Sequence, residues 1–115
     1  LGGFGNRYLK ISVYNGIEKI LKGKPMPTVK NVIVKKPSEE EAAKCKSWPI
    51  WECQPSEFDW AYTQTETCLI LEGDVTVKDS QGEVSFGPGD LVVFPVDLEC
   101  TWHVKKPVRK HYNFS

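Results

Sequence analysis

The sequence predicts an all-β protein: a single barrel or sandwich with one short helix, preceded by a basic N-terminal arm. Three observations predict it. From residue 58 onward, apolar and polar residues alternate in runs of strand length. Turn chemistry separates several of those runs, at Glu72-Gly73-Asp74, Asp79-Ser80-Gln81-Gly82 and Gly87-Pro88-Gly89-Asp90. Charge is also divided unevenly along a chain whose net charge is zero.

Taken in order, residues 8–14 alternate, with Leu9, Ile11 and Val13 on one side and Lys10 and Ser12 on the other, the pattern of a half-buried strand. Residues 17–22 read as a helical turn before Gly23, after which Pro25 and Pro27 break the path. Residues 29–35 read as a second strand. Ser38-Glu39-Glu40-Glu41 is a capping box: the Ser38 hydroxyl accepts a backbone N–H and Glu41 reaches back to the cap. Three acids in the first turn suit the helix dipole, so a short helix over 39–46 is expected, with Ala42, Ala43 and Cys45 free to pack. Residues 47–51 then form a loop that lays Trp48 and Trp51 across one end of the core. The remaining predicted strands are 58–62, 65–71, 75–78, 83–86, 91–94, 100–104 and 108–114. Many short strands with glycine turns mean a sandwich or barrel.

A chain of 115 residues is one domain plus at most an arm, and it can bury roughly two-thirds of the surface its unfolded form exposes. We place the arm at 1–36 and the barrel at 37–115. The arm holds Arg7, Lys10, Lys19, Lys22, Lys24, Lys30, Lys35 and Lys36 against Glu18 alone. Eight cations less one acid give +7, leaving −7 on the barrel of this neutral chain. Such asymmetry suits an arm that meets an acidic partner, or a solubilising extension. No apolar run approaches the ~20 residues of a membrane-spanning helix, so a soluble protein without membrane contact is expected. Cys45, Cys53, Cys68 and Cys100 form no C-x-x-C pair, which argues against a zinc site and for free thiols in a reducing, intracellular compartment. The chain begins at Leu1 and its single methionine is Met26, which reads as a processed amino terminus or an incomplete sequence.

Several segments together resemble the cupin superfamily from Val32 to Ser115. They are Trp48-Pro49-Ile50-Trp51, Phe58-Asp59-Trp60, Glu66-Thr67-Cys68, Leu71-Glu72-Gly73, Gly89-Asp90-Leu91-Val92-Val93-Phe94-Pro95, Cys100-Thr101-Trp102 and Lys110-His111-Tyr112. The likeness is to the small single-domain cupins of largely unknown function, and it implies a jelly-roll β-barrel. A metal-bearing cupin's first motif has two histidines one residue apart, then a glutamate, then a glycine seven residues further on. Glu66 and Gly73 fit that spacing, but the histidine positions fall on Trp60 and Tyr62, or on Asp59 and Ala61. In the second motif Gly89 and Pro95 fit, while the third histidine is replaced by Cys100. A divalent transition metal needs about three or four donors at ~2.0–2.3 Å, and Glu66 alone cannot hold one. We therefore expect no cofactor and no metal.

The expected pocket is formed by Trp60, Tyr62, Glu66, Cys68, Cys100 and Trp102. Its aromatic members either line a cavity for a planar or apolar ligand or close the barrel mouth. Glu66 is either a hydrogen-bonded structural carboxylate or, if buried, an acid or base of raised pKa. Cys100 is a small core residue unless a cation or base beside it generates the thiolate. His103, an odd number of residues from Cys100, faces the opposite side of a flat strand. His111 is read as a surface or hydrogen-bonded structural residue.

These residues lead to three expectations. The first is a non-catalytic binding or accessory subunit that docks through residues 1–36 on a protein partner in a larger assembly. The resemblance extends to a plant cupin associated with plastid transcription, implying the chloroplast stroma or nucleoid. The second is a small-molecule enzyme using Glu66 with Cys100 or Tyr62; related cupins include an aminohydrolase, but no second well-placed titrating group is visible. The third is nucleic-acid contact through Arg7, Lys10, Lys19, Lys22 and Lys24 with Tyr8 and Tyr14, which no recognisable motif accompanies. Cupins commonly pair through their outer sheets, so a homodimer is a further expectation.

Overall fold

The computed structural model describes residues 26–115 in full and, before them, the backbone of residues 10–14 and 17–21. Those two stretches are β1 (Lys10–Tyr14) and β2 (Ile17–Leu21), paired antiparallel with Lys10 opposite Leu21. The helical turn predicted over 17–22 is thus a strand. The sequence held the reason: Asn15-Gly16 between two alternating runs is a two-residue hairpin signal. Arg7, Lys22, Lys24, Tyr8 and the side chains of Lys10, Tyr14 and Lys19 lie outside the described residues.

The strand predicted over 29–35 divides in two. Thr28 caps a single 3-10 turn (Val29–Asn31), its hydroxyl accepting from the Lys30 N–H while the Asn31 side chain accepts from the Thr28 N–H. Only β3 (Ile33–Lys35) is extended, and it pairs with β8 (Leu91–Phe94). Val29 is buried in the main core, so residues 29–35 belong to the barrel rather than to the arm that was drawn to residue 36. Lys35 and Lys36 are likewise bonded to barrel acids, Glu41 at 3.0 Å and Asp90 at 2.9 Å.

Helix α1 (Glu39–Cys45) starts at the expected capping box, with Ser38 Oγ accepting from the Glu41 N–H and Glu41 Oε1 accepting from the Ser38 N–H. The Ser38 N–H, then Lys35, hold the Glu41 carboxyl below its ordinary pKa. The chain then enters β4 (Ile50–Cys53), where a loop was expected, and β5 (Ser56–Ala61).

Two long strands organise the rest: β6 (Glu66–Asp79) and β9 (Glu99–Phe114), with β7 (Gly82–Phe86) attached to the far half of β6. The first half of β6 pairs with β8 and with the second half of β9, and β4 lies on the other side of β9. The second half of β6 pairs with β7 and with the first half of β9, which also carries β5. The chain therefore makes two antiparallel layers, β3-β8-β6-β9-β4 and β7-β6-β9-β5, joined where β6 and β9 pass from one layer to the other. Such corners are commonly made by bulged strands.

Sequence reading broke both long strands at these corners. On β6, Glu66, Cys68 and Ile70 are buried, then Val75 and Val77, so the inward parity changes once. The change occurs across register irregularities between Ile70 and Val75, where Gly73 sits at φ 125°. A Cβ there would lie 2.8 Å from the Val108 Cα, so both conformation and space demand glycine. Opposite it, Pro107 has no N–H to contribute and falls in the irregular stretch of β9. The glycine signal was real, but it marks a bulge inside a strand rather than a turn between two.

Asp90 explains the Gly87–Asp90 turn. Its carboxylate accepts from the Gly87 N–H at 2.8 Å and from Lys36, and backbone bonds tie both Gly89 and Asp90 to Ile70 on β6. Trp102 stands at the centre of the core between the layers, stacked on Phe58 at 5.9 Å and meeting Trp51, Phe86 and Phe94 within 5.9 Å. A second, smaller cluster lies on the outer face of the first layer, where Cys45 of α1 packs with Leu69, Leu91 and Trp48.

Candidate functional site

Alternation on β9 places Val108, Lys110 and Tyr112 on the same face as the core residues, with Arg109 and His111 on the other. A lysine on that face cannot stay charged without partners. The Lys110 ammonium donates to Glu66 Oε2 at 2.7 Å, and the two side chains are 5% and 4% exposed. The ammonium also lies 4.8 Å from the Trp102 ring centroid, 4.9 Å from Trp51 and 5.9 Å from Phe94. Cation–π attraction and a charge-assisted hydrogen bond thus both hold it.

In the sheet register Lys110 faces Ile70 and Trp51, whereas Glu66 faces Phe94 and Phe114. The two long side chains meet along the inner face of one layer, with Cys68 between Glu66 and Ile70 on β6. They form part of the wall of a cavity of ≈ 190 Å³ that is otherwise aromatic, built from Trp51, Phe58, Trp60, Tyr62, Trp102, Tyr112 and Phe114. Trp60 and Phe114 are the exposed members and mark its open end. Tyr62 is fixed from three sides: its backbone bonds Leu98 and Asp97, its hydroxyl accepts from Trp102 Nε1 at 3.2 Å, and its ring stacks on Phe94 at 4.9 Å.

Of the residues expected in a pocket, Trp60, Tyr62, Glu66 and Trp102 line this cavity and Cys68 and Cys100 do not. Both cysteines are completely buried in the core. Burial pushes the Cys68 thiol up to about 12, Lys110 opposing and Glu66 adding to the shift. Cys100 is likewise pushed up to about 12, first by burial and then by Asp79 and Asp59. Burial, helped by Glu66, also raises the Tyr62 phenol far above its ordinary value. All three groups stay protonated near neutrality.

His103 is exposed and faces away from the core, as strand parity requires. His111 is buried against the outer face, its Nδ1 2.8 Å from the Trp48 carbonyl oxygen, which makes it a hydrogen-bonded structural residue. Sequence reasoning gave Lys110 no role, although the run Val108, Lys110, Tyr112, Phe114 carried the signal: a lone cation in an apolar stripe. It also treated Trp51 as core cover and overlooked Tyr112 and Phe114.

A family model described as a EutQ-like cupin domain matches residues 40–112. The chain belongs to this cupin family. A solved DUF861 family protein from Thermotoga maritima is 48% identical, with 74% of this chain covering 100% of that one at a TM-score of 0.71. The EutQ protein of Clostridium difficile shares the fold at 20% identity, with 91% of this chain and 92% of that chain covered and a TM-score of 0.51. No curated protein matches the chain.

The cupin fold raises the question of a metal. Among the described residues no group of three His, Cys, Asp or Glu side chains could hold one. Glu66, the donor that the family motif retains, already bonds a cation of the chain itself. An ammonium 2.7 Å from the carboxylate would repel a divalent ion, so the residues present do not fit a metal. Among the described residues no helix is long and apolar enough to cross a membrane.

Proposed function

We propose that this cupin is a non-catalytic binding module that serves as an accessory subunit of a larger assembly. The observation that carries the reading is the buried Lys110–Glu66 pair. It places a fixed internal cation against the carboxylate that the family motif would offer to a metal. Acid–base or nucleophilic chemistry needs a group free to exchange a proton or attack. Here Glu66 is bonded to Lys110, while Cys68, Cys100 and Tyr62 are held protonated by burial. An enzyme built on Glu66 and Cys100 is disfavoured further because Cys100 does not line the cavity. What remains is an aromatic cavity suited to holding a molecule rather than transforming it.

Docking on the partner is assigned to the residues before the barrel. With Lys30, Lys35 and Lys36 counted with the barrel, residues 1–28 retain Arg7, Lys10, Lys19, Lys22 and Lys24 against Glu18, five cations less one acid, or +4. The proposed partner surface is acidic protein, and the proposed setting is the plastid transcription apparatus. What supports that setting is this basic segment together with the likeness of the barrel motifs to a plant member associated with that apparatus.

The test is the native size and composition of the assembly that holds the protein, with and without residues 1–28. Three-quarters of this chain covers the whole Thermotoga maritima relative, so a shortened chain is a reasonable comparison. Recovery in a large assembly that depends on residues 1–28 and is unaffected by Glu66→Gln supports the reading. Recovery as a free monomer or dimer with either chain overturns it.

A further inference from the structure

The cavity wall carries chemistry more specific than an apolar hole. The Lys110–Glu66 bond uses one of three ammonium donors and one of two carboxylate oxygens, so a donor and an acceptor stand side by side in an aromatic slot. Their charges cancel. A ligand carrying a net charge would leave that charge uncompensated where little water reaches, which is costly. A purely apolar ring would forfeit the polar groups already present. The cavity of ≈ 190 Å³ is slightly larger than a ~150 Å³ cavity known to take benzene. It therefore suits one ring with one small substituent. The aromatic side chains that make up the rest of the lining favour a planar ring over a saturated one.

We propose that the Lys110–Glu66 pair makes this cavity a site for a neutral planar ring that presents a hydrogen-bond acceptor beside a donor, such as an aromatic primary carboxamide or a cyclic lactam. The ligand oxygen accepts from the Lys110 ammonium and its N–H donates to the Glu66 carboxylate, so the buried pair keeps its balance of charge. The inference rests on the barrel being a binding module and names what it binds.

The experiment titrates the full chain with benzamide, benzoate, benzamidine and toluene, reading the fluorescence of the cavity tryptophans and confirming each isotherm by calorimetry. The four probes share a ring and differ in carrying a neutral donor–acceptor pair, an anion, a cation or no polar group. Benzamide is expected to bind at least about tenfold more tightly than each of the others. In Glu66→Gln and Lys110→Met that preference should shrink to less than about threefold while toluene affinity is kept. Thermal melts of both variants establish that they are folded; the near-isosteric Glu66→Gln decides the matter if Lys110→Met is not. Benzoate or benzamidine binding most tightly, or toluene binding as well as benzamide, overturns the ligand class and leaves the binding module standing. Failure of all four rings to bind at millimolar concentration overturns the cavity as a ligand site altogether, whatever the native assembly proves to be.

Discussion

Arg109 and Lys110 are neighbours on β9, and each donates to a glutamate, yet the two pairs inhabit different worlds. Arg109 Nε meets Glu52 Oε2 at 2.8 Å on the outer face, with side chains 43% and 63% exposed. Lys110 meets Glu66 at 2.7 Å inside the barrel, almost out of reach of solvent. One step along a strand reverses the face, so two similar side chains are sent into opposite dielectric surroundings. The outer pair gains little beyond what water already offers each ion. The inner pair is held by mutual need, because either partner alone would be a buried charge without compensation.

The strongest way to break that comparison is Lys110→Met. It leaves Glu66 unpaired in the core and should cost about 3–5 kcal/mol, read as a lower urea midpoint at unchanged slope. Converting both members, Lys110→Met with Glu66→Leu, should restore most of the loss, since an apolar pair of similar volume is often as stable as the ion pair it replaces. A single Lys110→Met variant as stable as the native chain would mean that the inner pair is no different from the outer one.

Gly73→Ala tests what separates the two faces. The bulge at Gly73 switches which side chains of β6 point inward. Alanine there should cost about 1–3 kcal/mol for the backbone conformation alone, with the close approach of Val108 added. A neutral effect on thermal unfolding would show that the corner can be made without that conformation.

The inner face also predicts a dependence on alkaline pH. Cys68 and Cys100 have folded pKa values near 12, raised by burial from an unfolded value of 9.0. The unfolded chain therefore loses these protons first. Their contribution to stability is complete below pH 9.0 and falls as pH rises toward about 12. Denaturation midpoints measured at about pH 8 and about pH 10 should differ in that direction. Replacing both cysteines by alanine should flatten the difference; an unchanged slope would place its origin elsewhere. Arg109→Met, at the small end, should cost no more than about 1 kcal/mol and should lose even that at high salt.

Much of this fold was legible in the residues. The capping box at Ser38, the alternation from residue 58 onward and the Gly87–Asp90 turn each act through neighbours in sequence, so local chemistry sufficed. The two long strands were not legible as such. Gly73 and Pro107 look like ends of strands, and only β6 and β9 lying side by side turns them into corners. At the site, Glu66 and three aromatic residues were placed by motif and by parity. Cys68 and Cys100 were expected in the same pocket, Cys100 because it stands at a ligand position of the second motif, yet sharing the interior does not mean sharing its cavity.

What the sequence determined by itself was the all-β cupin barrel, its helix cap, the loss of the metal-ligand pattern and the basic charge that precedes the barrel. These depend on residue type and on spacing along the chain. What only the tertiary structure decided was the partner of Glu66. Lys110 lies 44 positions away in sequence and faces other residues in the sheet register. The two meet because neighbouring strands of one layer point both long side chains along the same inner face, where a charge without a partner cannot be left.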